Sequence, residues 1–289
     1  MAKPSLQLKE NVEGNFFVDS TCIDCGACRR FAPSVFGETG DYSFVYRQPQ
    51  VDSEQREAQR ALLACPTASI GTHDKTNLIE AKQSFPLELV PGIYINGFNA
   101  RDSFGADSYF IKHPNGNWLV DSPRFTKHLV KAFENMGGID TIFLTHQDDV
   151  ADSHDYARHF QAQRIIHRLD ANSAKDAEII LEGEDDSRIG SGHIIFTPGH
   201  TRGHLVLLWE DKFLFTGDHF SWSPKFNRFG SFRDACWFSW DVQIESVQKL
   251  KSYKNVEWVF PGHGHRGQVK EKSFPDHVEE AVAWMKTVQ

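Results

Sequence analysis

Four of the cysteines have a spacing that suits a metal cluster. Cys22, Cys25 and Cys28 form a C-x2-C-x2-C run, and Cys65 follows a helix-like stretch further along the chain. Three closely spaced thiolates on a tight loop can reach three irons of a 4Fe-4S cube, and a remote cysteine can supply the fourth ligand. A zinc site is the alternative, but structural zinc usually takes two separated C-x2-C pairs. We therefore predict one 4Fe-4S cluster on these cysteines.

Aspartate and histidine residues recur just past the ends of apolar, strand-like runs. These residues, in chain order, are Asp121, His146, His200, Asp218 and His263. A rigid scaffold aims the side chains at strand ends, and ligand sites gather in the loops there. Imidazole and carboxylate ligands suit zinc, but also non-haem iron or manganese. The pattern predicts that these side chains meet at one rim of a sheet structure.

The cysteine segment, about residues 10–73, resembles the single-cluster bacterial-type ferredoxins. The resemblance rests on the cysteine loop, an apolar strand before it at residues 16–18, and the pair Cys65-Pro66. The bacterial pattern has a further cysteine that serves a second cluster. Here Ala32 stands at that position, while Pro33 is retained. The resemblance implies a ferredoxin-like domain with one cluster, and we expect Cys236, far outside it, to be a buried and inert thiol.

The aspartate and histidine pattern resembles the metallo-β-lactamase superfamily over about residues 88–268. That family combines strand–Asp, T-H-x-H-x-D-H, T-P-G-H-T-x-G-H, T-G-D and P-G-H-G. Four of these elements are intact, with Asp121, His200 followed by His204, Asp218 and His263 in their places. The resemblance implies an αββα sandwich with a metal site at one edge of its two sheets. In the family, the residue matching Asp218 bridges two metals.

The T-H-x-H-x-D-H element departs from the family pattern. The chain reads Thr145-His146-Gln147-Asp148-Asp149-Val150-Ala151 there. Asp148 replaces the second histidine and can still bind a metal. The aspartate and histidine of the second metal site fall on Val150 and Ala151, which cannot.

Two nearby residues could restore the second site only with a changed turn. Asp152 and His154 lie just beyond the motif, but the segment from residue 149 to 160 looks helical. A shift of two residues on a helix turns a side chain by about 200°. The second metal then keeps only Asp218 and His263, whereas a catalytic ion usually has three protein ligands. The predicted metal ligands are His146, Asp148, His200, Asp218 and His263. We expect one divalent ion, zinc or iron, with the second site half-vacant.

The length of 289 residues allows two unequal domains at about 150 residues per domain. We predict an α+β chain with a ferredoxin-like domain at 1–75, a linker at 76–87 and a metallo-β-lactamase-like αββα sandwich at 88–289. With 31 Lys and Arg against 39 Asp and Glu, the net charge of −8 argues against a nucleic-acid partner. No apolar run approaches the ~18 residues of a membrane span. The N-terminus lacks the apolar region of a secretory signal, and we expect a cytoplasmic protein with a small-molecule substrate.

Three functions remain open. The first is hydrolysis of an ester, thioester, lactone or phosphoester by a metal-activated water that Asp148 or Asp218 orients. The second is a redox enzyme in which the cluster feeds electrons to non-haem iron. A cluster domain on the same chain favours it. The flavodiiron branch of the superfamily that this chain resembles also has a carboxylate in place of the second histidine. The third is a non-catalytic sensor or electron-transfer protein, favoured by Val150 and Ala151. We rank the hydrolase first; a redox partner and the oligomeric state are left open.

Overall fold

The N-terminal part of the chain is built from two small strand pairs and two helices. The computed structural model describes residues 2–288. The elements of this part are β1 (Phe16–Val18), α1 (Ala27–Phe31), β2 (Phe36–Glu38), β3 (Ser43–Val45), α2 (Asp52–Ala64) and β4 (Ile70–Thr72). Strand β1 pairs with β4 and β2 with β3, both antiparallel. Helix α2 ends directly before Cys65, so the fourth cysteine is held at a helix terminus.

The larger part begins with a seven-stranded sheet in the order β11-β10-β9-β8-β7-β6-β5. Its strands are β5 (Leu87–Val90), β6 (Ile93–Ile95), β7 (Tyr109–Ile111), β8 (Trp118–Val120), β9 (Thr141–Phe143), β10 (Gln163–His167) and β11 (Ile179–Leu181). Strands β8 to β11 run parallel to one another, whereas β5 to β8 pair as antiparallel neighbours. Asp121 and His146 follow the neighbouring parallel strands β8 and β9, which brings them to the same sheet edge.

A second sheet of six strands has the order β12-β13-β14-β15-β18-β19. Its strands are β12 (Ser187–Ile189), β13 (Gly192–Phe196), β14 (Leu205–Trp209), β15 (Phe213–Gly217), β18 (Trp258–Pro261) and β19 (Gly267–Gln268). Strands β15 and β18 are parallel, so Asp218 and His263, which follow them, lie at one edge. A separate hairpin joins β16 (Ser221–Ser223) to β17 (Arg228–Gly230).

Helices cover the outer faces of both sheets. The remaining helices are α3 (Ile79–Gln83), α4 (Lys127–Met136), α5 (Ser153–Phe160), α6 (Trp240–Lys249) and α7 (Phe274–Met285). One apolar core contains α4, α5 and residues of both sheets, and a second core lies between the six-stranded sheet and helices α6 and α7. Strand β14 shows why: Leu205 and Leu207 belong to the first core, while Val206 and Leu208 alternate into the second. The α+β class and the αββα order are confirmed.

The predicted linker, residues 76–87, carries structure of its own. It contains α3 and the buried Phe85, whose ring lies 5.5 Å from that of Phe31 and 5.6 Å from that of Phe98. Residues of both parts of the chain therefore belong to one continuous apolar core. The domain bounds 1–75, 76–87 and 88–289 stay a prediction. Within residues 2–288, no helix has the length and apolar character needed to cross a membrane.

Candidate metal and cluster sites

The fold brings the four predicted cluster ligands to one place. Cys22, Cys25, Cys28 and Cys65 line a single small cavity, and none of them forms a disulfide. Its other walls are largely apolar, as the presence of Val18 illustrates. The four cysteines that the sequence spacing grouped therefore line one cavity in the folded chain.

Backbone amides are aimed at two of these sulfurs. The N–H groups of Asp24 and Ser43 donate to Cys22 Sγ, each at 3.5 Å. The N–H of Ser69 donates to Cys65 Sγ at 3.3 Å. Hydrogen bonds to sulfur are one way in which a protein sets the reduction potential of an iron–sulfur cluster. The donor set fits a cluster held by thiolates.

The protonation chemistry of the thiols points the same way. Burial raises the pKa of Cys25 to about 11 and that of Cys28 to about 12. Such thiols are neutral near pH 7 unless a metal takes the place of their protons. Burial alone disfavours a set of closely spaced thiolates, whereas the irons of a cluster would stabilise the deprotonated sulfurs.

Four of the five predicted metal ligands also meet. His146, Asp148 and His200 form a group whose ligand atoms all lie within 4.8 Å of one another. His146 Nε2 lies 3.8 Å from Asp148 Oδ2, and His200 Nε2 lies 3.6 Å from the same oxygen. Asp218 Oδ2 lies 3.9 Å from His146 Nε2 and 3.8 Å from His200 Nε2. These separations exceed hydrogen-bond lengths and suit atoms that each lie about 2.1 Å from one shared ion.

The same atoms lack hydrogen-bond partners. His146 Nε2, His200 Nε2 and Asp148 Oδ2 are all buried without one among the described residues. An unpaired buried polar atom costs about 1–3 kcal/mol, so three that converge on one point indicate a binding site for a cation. A divalent cation accepts electron pairs from all of them at once. The residues present therefore fit a metal ion.

A chain of hydrogen bonds sets the tautomer of His146. Thr145 Oγ1 donates its only proton to the Asp121 carboxylate, at 2.9 Å to Oδ2. His146 Nδ1 lies 2.9 Å from the same Thr145 oxygen, so when Asp121 is ionised the ring donates from Nδ1. Its Nε2 then carries a lone pair directed at the candidate ion, as second-shell partners arrange in metal sites. Burial lowers the pKa of His146 to about 4, which keeps the ring neutral for this purpose.

Asp149 is a candidate ligand that the sequence motifs did not indicate. With His146 and Asp218 it forms a second group of ligand atoms within 4.8 Å of one another, and neither of its carboxylate oxygens has a partner. It stands at the end of a 3₁₀ turn, Gln147–Asp149. A Cβ on Gly262 would lie 2.8 Å from Asp149 Oδ2 and 2.9 Å from Asp218 Oδ1, so only glycine lets the loop pass both carboxylates.

The electrostatics of this corner favour a cation. Burial, together with the charges of Asp218 and Asp121, raises the pKa of Asp149 well above its usual range. Burial likewise raises the pKa of Asp121 to about 8. A bound cation is the general way to stabilise closely spaced carboxyl groups such as Asp121, Asp149 and Asp218 in their charged forms.

His263 is engaged differently from the prediction. Its Nδ1 lies 2.8 Å from Asp218 Oδ2, and its Nε2 donates to the carbonyl oxygen of Phe104 at 3.2 Å. Burial lowers the pKa of His263, but the Asp218 carboxylate outweighs burial and the net pKa lies above its usual value. The candidate ligand groups found within residues 2–288 do not include this ring. Its role as a metal ligand stays a prediction.

Asp152 and His154 form contacts with residues other than the candidate metal ligands. Asp152 Oδ2 accepts the backbone N–H of Phe125 at 2.6 Å. His154 Nδ1 pairs with Asp176 Oδ2 at 2.9 Å on the surface. Helix α5 begins at Ser153 rather than at residue 149. Neither residue takes the place of the family ligands lost at positions 150 and 151.

Exposed aromatic side chains surround the candidate metal site. Trp237 is 66% exposed, and its ring centroid lies 6.3 Å from that of His200. The backbone N–H groups of Trp237 and Phe238 both donate to the carbonyl oxygen of His200. Phe232 lies against Gly264, next to His263. Cys236, in the same loop, is half-buried rather than buried, and its Sγ donates to Gly199 O.

One short segment lies between the two candidate sites. We call residues 104–107 the bridging segment. On one side, Arg30 donates to the Asp107 carboxylate and to the carbonyl oxygen of Gly105. On the other, the Phe104 carbonyl accepts from His263 and the Asp107 N–H donates to Gly262 O. The two sites thus share a wall.

Comparison with known families places this architecture. A family model described as the metallo-beta-lactamase superfamily matches residues 90–273. The chain belongs to this superfamily. A second model, described as the 4Fe-4S single cluster domain of Ferredoxin I, matches residues 18–72 ahead of the metallo-β-lactamase domain. Both predicted resemblances are confirmed.

A relative of known name also matches part of this chain. A hydroxyacylglutathione hydrolase from Acidiphilium cryptum (strain JF-5) is 33% identical over 126 residues, which cover 39% of this chain and 49% of that protein. The match therefore spans about half the length of that curated relative.

Solved structures of the superfamily share the fold of the metallo-β-lactamase domain. The DIM-1 metallo-β-lactamase exposed to ceftazidime is 19% identical, with a TM-score of 0.55 over 70% of this chain and 96% of that chain. The metallo-β-lactamase from Pontibacter korlensis is 16% identical, with a TM-score of 0.53 over 69% of this chain and 97% of that chain. At these identities the likeness concerns the fold alone.

Proposed function

We propose that the protein is a metal-dependent hydrolase and that it cleaves thioesters. The observation that carries the proposal is the convergence of His146 Nε2, His200 Nε2 and Asp148 Oδ2, all buried and unpaired, beside Asp218. Such a set of two imidazoles and two carboxylates suits zinc or iron(II). A divalent cation held there would polarise a substrate carbonyl and lower the pKa of a water molecule.

The residues of the chain have separate tasks in this proposal. Asp148 and Asp218 would hold the cation and would orient the attacking water. Asp121 acts through Thr145 to keep the His146 lone pair in place. Asp148 is partly exposed, with 43% of its side chain accessible, so this side of the site faces solvent. The open side is where a substrate would enter.

The exposed residues Phe104, Trp237 and Phe238, which we call the aromatic rim, and the named relative support the choice of thioesters as substrates. Trp237, Phe238 and Phe104 are exposed around the site and offer apolar area to an acyl chain or another apolar group. Arg202 stacks on Phe238, with its guanidinium carbon 5.2 Å from the ring centroid, and supplies a positive charge there. The Acidiphilium relative is named for the hydrolysis of a glutathione thioester. A thioester with an apolar part and an anionic part matches these features.

Hydrolysis by purified, metal-loaded protein tests the proposal. Anaerobically prepared protein with zinc or iron(II) would be assayed against S-acylglutathione thioesters, lactones and phosphodiesters. We expect thioester hydrolysis that falls at least about 100-fold in Asp148→Asn, because that change removes a charged ligand. Asp155→Asn, which alters a surface carboxylate paired with Arg158, should retain full activity. Absence of turnover with every substrate would contradict the proposal.

The bridging segment favours a redox enzyme as the second candidate. The cysteine loop and His263 contact the same few residues, so a cluster bound by the cysteines would lie close to the metal site. In this version the site holds iron, and a one-electron reductant of low potential serves as the redox partner. Oxygen consumption by the reduced, iron-loaded protein would favour it over hydrolysis. A small-molecule substrate and a cytoplasmic location belong to both versions.

A further inference from the structure

The cysteine loop approaches the metallo-β-lactamase domain at Gly105. This residue has a φ of +81°, and a Cβ added to it would lie 2.7 Å from Cys25 Sγ and 3.0 Å from Pro66 Cγ. A side chain at position 105 would therefore displace the loop that carries Cys22, Cys25 and Cys28. Glycine is required both by the backbone conformation and by the closeness of the sulfur.

Arg30 fixes this approach from the cysteine side. Its guanidinium donates to Asp107 Oδ2 at 2.8 Å, to Gly105 O at 3.0 Å and to Cys25 O at 2.9 Å. Its side chain is 4% exposed and that of Asp107 is fully buried. A buried pair with these additional hydrogen bonds has a defined geometry. The cysteine loop and the bridging segment therefore form one rigid contact.

The opposite side of the bridging segment contacts the metal site. The Phe104 carbonyl, which belongs to the same peptide unit as the Gly105 N–H, accepts from His263 Nε2 at 3.2 Å. The Asp107 N–H donates to Gly262 O at 2.8 Å. His263 in turn holds Asp218 through Nδ1. One peptide unit thus separates the cysteine-loop contact from the hydrogen bond to the Asp218–His263 pair.

We propose that the bridging segment couples the two sites, so that the oxidation state of the cluster regulates the affinity of the metallo-β-lactamase site for its cation. Reduction adds one negative charge on the cysteine side of the segment. Charges that interact through buried protein are screened far less than surface charges. The added charge favours a cation at His146, Asp148, His200 and Asp218, so the reduced protein binds the cation more tightly.

The coupling must be reciprocal. If reduction tightens cation binding, cation binding makes reduction easier by the same free energy. A tenfold difference in cation affinity corresponds to a 59 mV rise in the midpoint potential of a one-electron couple. The regulation deepens the proposed function, but binding and potential can be measured whether or not the protein turns over a substrate.

Zinc is the probe for the experiment, because it has no redox chemistry and cannot accept the electron. The midpoint potential of the cluster in full-length protein would be measured by dithionite titration, with electron paramagnetic resonance detection, in the absence and in the presence of saturating zinc. We expect zinc to raise the potential, and zinc titrations of oxidised and reduced protein to differ by the matching factor. An unchanged potential in native protein would overturn the proposal.

Two glycine variants test whether the bridging segment carries the effect. Gly105→Ala pushes the cysteine loop away, whereas Gly183→Ala imposes a similar strain at φ +86° with nothing within 4 Å of the added Cβ. We expect the zinc-induced shift to shrink in the first and to persist in the second. Equal shifts in both variants would overturn the assignment to the segment.

A variant on the metal side covers the case in which Gly105→Ala loses its cluster. His263→Gln breaks the contact with the Phe104 carbonyl while leaving the cysteine loop untouched. At saturating zinc its shift should also be reduced, and a full shift would contradict the proposal. Protein that binds zinc without hydrolysing any ester contradicts the proposed function alone, whereas hydrolysis without a shift in potential contradicts this coupling alone.

Discussion

The Asp149 carboxylate shares a cluster of candidate ligand atoms with the Asp218 carboxylate, all within 4.8 Å of one another and of His146. The family pattern places the corresponding carboxylate one residue later, where this chain has Val150. A 3₁₀ turn over Gln147–Asp149 makes the difference, because it directs Asp149 inward to the site. A second cation therefore has a donor that the motif comparison did not supply.

Asp149→Asn tests this donor. We expect the native protein to take up a second, weaker equivalent of zinc and the variant to lose it while keeping the first, because an amide is a poorer ligand than a carboxylate. Metal analysis after equilibrium dialysis at graded zinc concentrations measures the change. His154→Ala is the control and should bind as the native protein does, since His154 pairs with Asp176 on the surface. Equal second-site binding by the Asp149 variant would count against the assignment.

Cysteine variants test the cluster ligands. Cys65→Ala should abolish the brown chromophore of anaerobically purified protein or leave a three-iron species, because one iron loses its thiolate. Cys236→Ala should leave the visible spectrum and the iron content unchanged. Cys236 lies next to Trp237 in a different loop, and its Sγ donates to Gly199 O. Loss of the cluster in the Cys236 variant would refute the assignment. Iron analysis and electron paramagnetic resonance provide the measurement.

The buried pair of Arg30 and Asp107 predicts a large stability effect. Arg30→Ala removes the guanidinium that pairs with the buried Asp107 carboxylate and leaves it with Asn99 at 2.8 Å and Arg266 at 3.5 Å. We expect a loss of about 3 kcal/mol in the free energy of unfolding. Arg158→Ala removes an exposed pair with Asp155 and should cost no more than about 0.5 kcal/mol. Guanidinium denaturation followed by circular dichroism compares the two. Equal losses in the free energy of unfolding of the two variants would show that the buried pair stabilises the protein no more than the exposed pair does.

Trp237 provides a test of the aromatic rim. Trp237→Ala removes apolar area beside His200 without touching a candidate ligand, so KM for a thioester should rise about 10-fold with little change in metal content. Phe226→Ala is the matched control, because Phe226 is also exposed but packs on Trp284 of α7. Steady-state kinetics with metal analysis separates binding from metal loss. An unaltered KM in the Trp237 variant would exclude the rim as a substrate surface.

Removing the metal should lower thermal stability. Without a cation, His146 Nε2, His200 Nε2 and Asp148 Oδ2 are unpaired and the buried carboxylates repel one another. Adding zinc at about 100 times its dissociation constant should restore about 2.7 kcal/mol by mass action. Thermal unfolding of chelator-treated protein across a zinc series measures this. A Tm that does not depend on zinc would argue against a built metal site.

Local patterns in the sequence were sufficient to predict the ligand types and their order. The cysteine spacing and the residues after strands β8, β9, β15 and β18 are short-range features, and parallel strands bring their ends to one edge of a sheet. For that reason Cys22, Cys25, Cys28 and Cys65 could be grouped, and His146, Asp148, His200 and Asp218 as well. The αββα class was implied by the resemblance of these motifs to the metallo-β-lactamase superfamily.

Only the tertiary structure decided which other groups reach the site. Asp149 turns inward because of a 3₁₀ turn that no spacing rule marks. His263 lies against the carbonyl of Phe104, which is 159 residues away in the chain, and Arg30 pairs with Asp107 across 77 residues. Contacts of this kind depend on how two packed surfaces meet, and a sequence motif describes each surface without the other. The cysteine loop and the metal site therefore share a wall for a reason that lies in the packing of the two domains.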